Sequence, residues 1–248
     1  MAESQVIPWK RIAVEAAAIV GSILLAFAID AWWDARNDYN ALSENLLALE
    51  QEILQNLSDF DKVLGTADRN LKDLDEVFQI IADRDRPDLP AGFVRDVGQV
   101  YYYLVTDVSD SALGVVVRPN NLQRIKRIEL RHHLVHSYEA LADVAKYERR
   151  LENEFTDRQQ PALARIFLLD EASWYVDDEP ELQHYGLLHP VPESPFISTS
   201  KAVKSKELWN LLYVWRGVYL DFAKHVLLAK EDHLLILNLL EKELEGRR

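Results

Sequence analysis

Apolar positions along this chain form two kinds of pattern. From Ile12 to Ile29 they run unbroken for 18 residues, with Glu15 as the one charge. Beyond Asn37 they recur in steps of three and four: Leu42, Leu46, Leu49, Ile53, Leu57, Phe60, Leu64, Ala67, Leu71, Leu74, Phe78 and Ile81. The first pattern suits a helix surrounded by apolar material, the second a helix with one buried face. No proline separates them, so they read as one continuous helix with a near-heptad stripe over its long-helix segment of about 37–84. The part beyond the bilayer would be a rod of roughly 75 Å at the usual helical rise. Arg86-Pro87-Asp88-Leu89-Pro90 ends it.

Two more long helices follow. One spans about 122–160, with Leu130, Leu134, Tyr138, Leu141 and Ala145 on one face, and Pro161 kinks or ends it. The other spans about 205–246, capped by Ser205 with Glu207 in its first turn, and carries Leu208, Leu212, Trp215, Tyr219, Phe222, Val226, Ala229, His233, Ile236, Leu240 and Leu244. Between the first two, "FVRDVGQVYYYLV" and "SDSALGVVV" suggest short helices, the second capped by Ser109, although Val115 to Val117 also suits a short strand. Arg118-Pro119-Asn120-Asn121 reads as a turn. Residues 170–204, with Pro180, Pro190, Pro192 and Pro195, read as a loop excursion whose Trp174, Tyr175 and Tyr185 pack on the bundle. The fold class is therefore all-α: an N-terminal transmembrane helix continuing into an elongated antiparallel bundle of three long helices with short connecting helices. Sparse glycine (8) and proline (9) agree with long uninterrupted helices.

The opening apolar run fits a membrane span over 12–33. Trp9 precedes it and Trp32 and Trp33 follow, so indoles lie roughly 34 Å apart on one helix, matching a hydrocarbon core of about 30 Å. A cleaved export signal is the rival: Lys10 and Arg11 make a basic leader, and Ala26-Phe27-Ala28 resembles a cleavage site. Glu15 would interrupt the short apolar region of such a signal, and the helical pattern runs on past Ile29, so the anchor is favoured. Lys10 and Arg11 before the span, against Asp30, Asp34, Arg36 and Asp38 after it, orient residues 1–11 to the cytoplasm. Residues 34–248 then form an extracytoplasmic domain, expected in the periplasm with the span in a bacterial inner membrane. Residues 1–37 hold three basic and four acidic side chains, or −1, leaving −12 of the total −13 for the remainder. So acidic a chain is not expected to bind nucleic acid. Zero cysteine excludes disulfides and thiolate metal sites. Inside the span, Glu15 pairs with Arg11 four residues back in the simplest reading, and is a functional intramembrane charge in the other. Ala13, Ala17 and Gly21 at four-residue spacing form a small-residue face for packing against another membrane helix, from a partner or a second copy.

The order of these features resembles a family of uncharacterised bacterial single-pass membrane proteins, described only as a domain of unknown function. The likeness rests on the early Glu15 in the span, Asp30-Ala31-Trp32 at its end, and Leu49, Glu52 and Asn56 on the following helix. It continues in "ALGVVVRPNNLQRIKRIELRHHLVHSY", through Ile125, Leu130, Arg131, Leu134 and Tyr138. The chain has Arg118-Pro119-Asn120 where the family often has a glycine turn. The resemblance implies topology and fold. It implies no activity.

Candidate chemistry is thin. Glu129, His132 and His136 share a helical face, and Glu-x-x-His is the spacing of carboxylate-bridged dimetal bundles. Glu181 and His184 repeat it. A metal site would need carboxylates from two further helices, and this face points away from the Leu130, Leu134, Tyr138 stripe, so a solvated or partner-facing surface is the favoured reading. His233 occupies a seam position, as a satisfied core histidine or else a ligand or proton-sensing group. Trp209, Trp215, Tyr213 and Tyr219 read as core. No nucleophile elbow or phosphate loop occurs, and no cofactor is expected. The expected function is a non-enzymatic membrane-anchored scaffold or accessory subunit, docking through acids near Asp59, Asp61, Asp73 and Asp75. The alternative is a periplasmic ligand-binding or sensing bundle acting through a membrane partner.

Overall fold

The computed structural model describes residues 9–83, 90, 92–103, 105–166 and 205–246. Among these there is no strand, and the chain is all-α as its patterning predicts. Helix α1, Trp9–Ala82, runs unbroken for 74 residues, about 110 Å at the usual rise. Its lower third exposes Ile19, Leu24, Phe27, Trp32 and Trp33, and this apolar stretch is long enough to cross a membrane while none of it is buried by the protein. Among the described side chains of α1, the first that is buried is Leu42. One helix thus changes solvent, from lipid-compatible on all sides to amphipathic.

Above Leu42, α1 packs against α7, Lys206–Glu245, which runs antiparallel to it. Phe78 meets Trp209 edge-on, Asn70 meets Tyr219, and Asn56 meets His233, fixing direction and register. Helix α7 begins as expected, with the Ser205 hydroxyl accepting from the Leu208 N–H at 3.1 Å. Helix α5, Ile128–Asn153, lies along the other flank of α7, also antiparallel: Tyr147 stacks on His225 and Arg150 pairs with Asp221. Between α1 and α5 lie the short helices α2, Phe93–Gln99, α3, Ser111–Val116, and α4, Pro119–Leu122. Val115 and Val116 therefore close α3 and Val117 is the turn after it, not a strand, and the expected turn at Pro119 is one helical turn with the proline at its start, where its missing N–H costs nothing.

Three expectations need correction. The long middle helix begins at Ile128, not Leu122. Its buried stripe is Leu130, Leu134, Ser137, Leu141 and Val144, while Tyr138 and Ala145 are exposed. Pro161 does not end the helix either: a π turn, Glu154–Gln159, precedes it and α6, Gln160–Ile166, carries the chain on. The wider turn shifts carbonyls away from the proline ring, which otherwise clashes with the carbonyl four residues back. Inside the bundle, Trp215 packs among Tyr101, Tyr103, Phe155 and Tyr219, and its indole N–H donates to the Val100 carbonyl at 2.8 Å. The excursion at 170–204, the stop at 84–89, Glu181 and His184 lie outside the described residues.

Candidate functional site

Buried polar groups gather at mid-height on α1, where the heptad series passes through Asn56. This side chain is buried and clamps the backbone of Ser109, accepting its N–H at 2.9 Å and donating to its carbonyl at 2.8 Å. One turn below, the Glu52 carboxylate accepts the Ala112 and Leu113 N–H groups at 2.8 and 2.9 Å, and the Ser109 hydroxyl at 2.7 Å. Helix α3 is thus capped by a carboxylate from another helix, where the dipole favours negative charge. Ser109, expected as the cap, contributes only a longer contact to the Ser111 N–H at 3.3 Å.

His233 closes the cluster from α7. It is fully buried, edge-on to Phe60 at 5.2 Å, with Nε2 at 3.3 Å from Asn56 Nδ2 and Nδ1 at 3.2 Å from Ser137 Oγ. The Ser109 clamp fixes which way the Asn56 amide points, so Nδ2 donates and His233 Nε2 must accept. The imidazole is therefore the neutral Nδ1–H tautomer. Burial holds its pKa below the usual histidine range, opposed by the Ala229 carbonyl and by Asp232 and Glu52. The expectation of a satisfied core histidine describes this arrangement.

The metal candidates are arranged differently from their spacing. His132 and His136 are exposed, and His136 instead joins His133 on the buried Asp232 of α7, with Nδ1 to carboxylate distances of 3.3 and 2.8 Å. Among the described residues, no group of three or more His, Asp or Glu side chains is placed to hold a metal. Asp232 was missed because it lies 99 residues from its histidine partner and beside an obvious seam position. The four acids expected to face a partner are mostly engaged within the protein. Asp59 is bound by Lys62 and Gln55, which hold its carboxyl below the usual range, Asp61 pairs with Lys230, and Asp75 pairs with Arg216. Tyr213 and Trp209, expected in the core, are exposed.

Within the span, Gly21 has open space around it and Ala17 is exposed, so their face meets nothing in this chain. Glu15 is also exposed. The side chains of Trp9, Lys10, Arg11 and Ala13 lie outside the described set.

A second apolar stripe runs along the outside of α7. Tyr213, Leu220, Leu227 and Leu234 recur every seven residues at 39–67% exposure, and Leu228 and Leu235 are exposed on the neighbouring outer side. On α1, Leu47 and Leu54 are exposed in the seven-residue series that continues through Asp61 and Asp75. Those two aspartates pair with Lys230 and Arg216, each one turn from the α7 stripe, so both stripes face the same side. Half-buried Leu57, Leu64, Leu71, Ala223 and Leu237 form the floor between them. This is a long groove on the flank that α5 leaves uncovered, apolar along its α7 side and, on its α1 side, apolar at Leu47 and Leu54 but acidic from Asp61 through Asp68 to Asp75.

Comparison with known proteins finds no family model, no curated protein and no solved structure that matches the chain.

Proposed function

We propose that this protein is a non-enzymatic, membrane-anchored helical scaffold or accessory subunit that receives a helix of a membrane partner in the α1/α7 groove. The observation that carries the reading is the second heptad stripe on α7. Its seven-residue recurrence lies on an exposed side, apart from the core of the described residues, and contiguous exposed apolar surface of this kind marks interaction sites. An apolar-faced helix is the occupant that suits it, because heptad spacing presents ridges for another helix over about 30 Å. Because α1 passes without a break from the apolar span into the groove, a partner anchored in the same membrane would meet it at a fixed height. Localisation in a bacterial inner membrane, with the N-terminus in the cytoplasm and the bundle in the periplasm, belongs to this reading, as does the resemblance to the uncharacterised single-pass family. Membrane lipid and other membrane helices, reached through Ala13, Ala17 and Gly21, complete the expected partners.

The test uses the full chain purified in mild detergent. A photo-crosslinking residue at position 227 is expected to capture a defined membrane partner. The triple variant Leu220→Asp, Leu227→Asp, Leu234→Asp should lose that partner while keeping its helical content and unfolding midpoint. Retention of the partner by the triple variant overturns the groove reading. So does exclusive capture through a crosslinker at position 73, which would return docking to the acidic surface.

A further inference from the structure

We propose that His233 and Asn56 form a proton-operated latch: neutral His233 holds the Ser109 segment and α3 against α1, and protonated His233 releases them. The inference rests on hydrogen-bond directions in the buried cluster and is independent of the groove reading.

Asn56 has one way to serve all its partners. Its Oδ1 accepts the Ser109 N–H, while its Nδ2 donates to the Ser109 carbonyl and to His233 Nε2. A proton added at Nε2 would point a donor at a donor. Turning the amide over so that Oδ1 accepts from the imidazolium would place Nδ2 against the Ser109 N–H, a second clash of donors, and leave the Ser109 carbonyl unpaired. The clamp and the imidazolium are therefore mutually exclusive. Asn56 is buried and cannot stay without partners, whereas Ser109 lies at the surface where water can replace them, so the short segment gives way before the long helices do. That segment is short and partly exposed, at Tyr102 and Val105, and α3 buries Leu113 and Val116 alone; its other ties run through the Thr106 hydroxyl to Glu148 and through Asn70 to the Tyr102 carbonyl.

The charged groups around His233 oppose full release. Glu52 on α1 keeps its own hold on the α3 N–H groups, and Asp232 on α7 is engaged by His133 and His136 of α5. Asp110 follows Ser109 in the segment itself. Both Glu52 and Asp232 favour the imidazolium, against the burial that disfavours it. In the released segment His233 regains water and titrates nearer the ordinary histidine value of about 6.5. The latch is therefore complete above that pH and weakens by up to about tenfold per unit as pH falls towards the lower value of the closed form.

The experiment follows amide hydrogen-exchange protection in the full-length protein in detergent micelles, from pH 7.5 to 5. Protection at Ser109, Ala112 and Leu113 is expected to fall progressively below about pH 6.5, while amides at Ile53 and Ile236 stay protected. His233→Gln, whose side-chain oxygen can accept from Asn56 but takes no proton, should make the three amides insensitive to pH. The same pH response in His233→Gln overturns the latch, as does a response that Glu52→Gln removes. If His233→Gln fails to fold, the wild-type imidazole nitrogens decide. An Nε2–H tautomer at pH 7.5 overturns the proposal, and an Nδ1–H tautomer protonating in step with the loss of protection supports it.

Discussion

Asn56, Asn70 and Ser137 occupy seam positions where leucine, isoleucine or alanine would bury more apolar surface, and each holds something that apolar packing cannot. Asn70 donates to the Tyr102 carbonyl and, at 3.1 Å, to the Tyr219 hydroxyl, tying a segment without its own helix to both long helices. A stripe of threes and fours shows where the seam lies but not that these members are polar by necessity, because their partners come from 32 to 177 residues away. Asn70→Ala leaves the Tyr102 carbonyl and the buried Tyr219 hydroxyl without this donor, and should lower unfolding free energy by about 1–3 kcal/mol. A lower urea midpoint with unchanged slope checks it. Tyr219 adds a pH signature. Burial, set against the Asn70 bond and nearby Arg69, pushes its pKa up to about 12. A phenol that ionises later in the folded than in the unfolded chain contributes its stability in full below about pH 10. That contribution should be lost as pH rises from there towards its folded value. Tyr219→Phe should flatten this alkaline decline, measured by unfolding midpoints at successive pH values.

At the scale of elements, the start of α7 is legible in a few local residues, whereas helix starts held by distant carboxylates are not. Helix α7 starts where Ser205 caps it, a signal contained in four residues. Helix α5 starts six residues later than its apolar pattern suggests, because Glu243, near the far end of α7, accepts the Lys126 and Arg127 N–H groups at 3.2 and 3.3 Å. Glu52 accepts the Ala112 and Leu113 N–H groups of α3, which a local Ser or Asp would ordinarily cap, whereas Glu243 holds the two residues that lead into α5; both carboxylates fasten a helix start to the bundle. The π turn before Pro161 is similarly invisible in hydrophobic periodicity, since its cause is backbone geometry. Glu243→Ala should therefore act as the loss of a cap and an anchor together, costing about 1–3 kcal/mol. Hydrogen exchange should localise the effect, with amides from Ile125 to Leu130 losing protection first. A uniform loss over all helices would show that Glu243 contributes only general packing.

Across the whole molecule, one helix carries two kinds of surface, an apolar stretch long enough to cross a membrane and an amphipathic one, and the division between them falls near Trp33. Every side chain described below Leu42 on α1 is at least partly exposed, and the bundle draws its core from residues above it. This boundary was legible because the tryptophans and the change from unbroken to periodic apolar residues mark it. The groove was not, because its two stripes are read separately in sequence and acquire meaning only when Asp61 and Asp75 bring them to one side. Physical separation also means that span and bundle should behave independently, since effects of distant substitutions add. Residues 34–248 alone should fold with unchanged helical signature and a stability within about 0.5 kcal/mol of the full chain. Gly21→Leu in the full chain should leave the unfolding midpoint where it is and weaken association between membrane helices in detergent, because a bulky side chain then stands on the small-residue face. A shifted midpoint in either form would mean that the span helps to hold the bundle. Unchanged association in Gly21→Leu would mean that its face meets lipid, leaving the α1/α7 groove to carry any assembly.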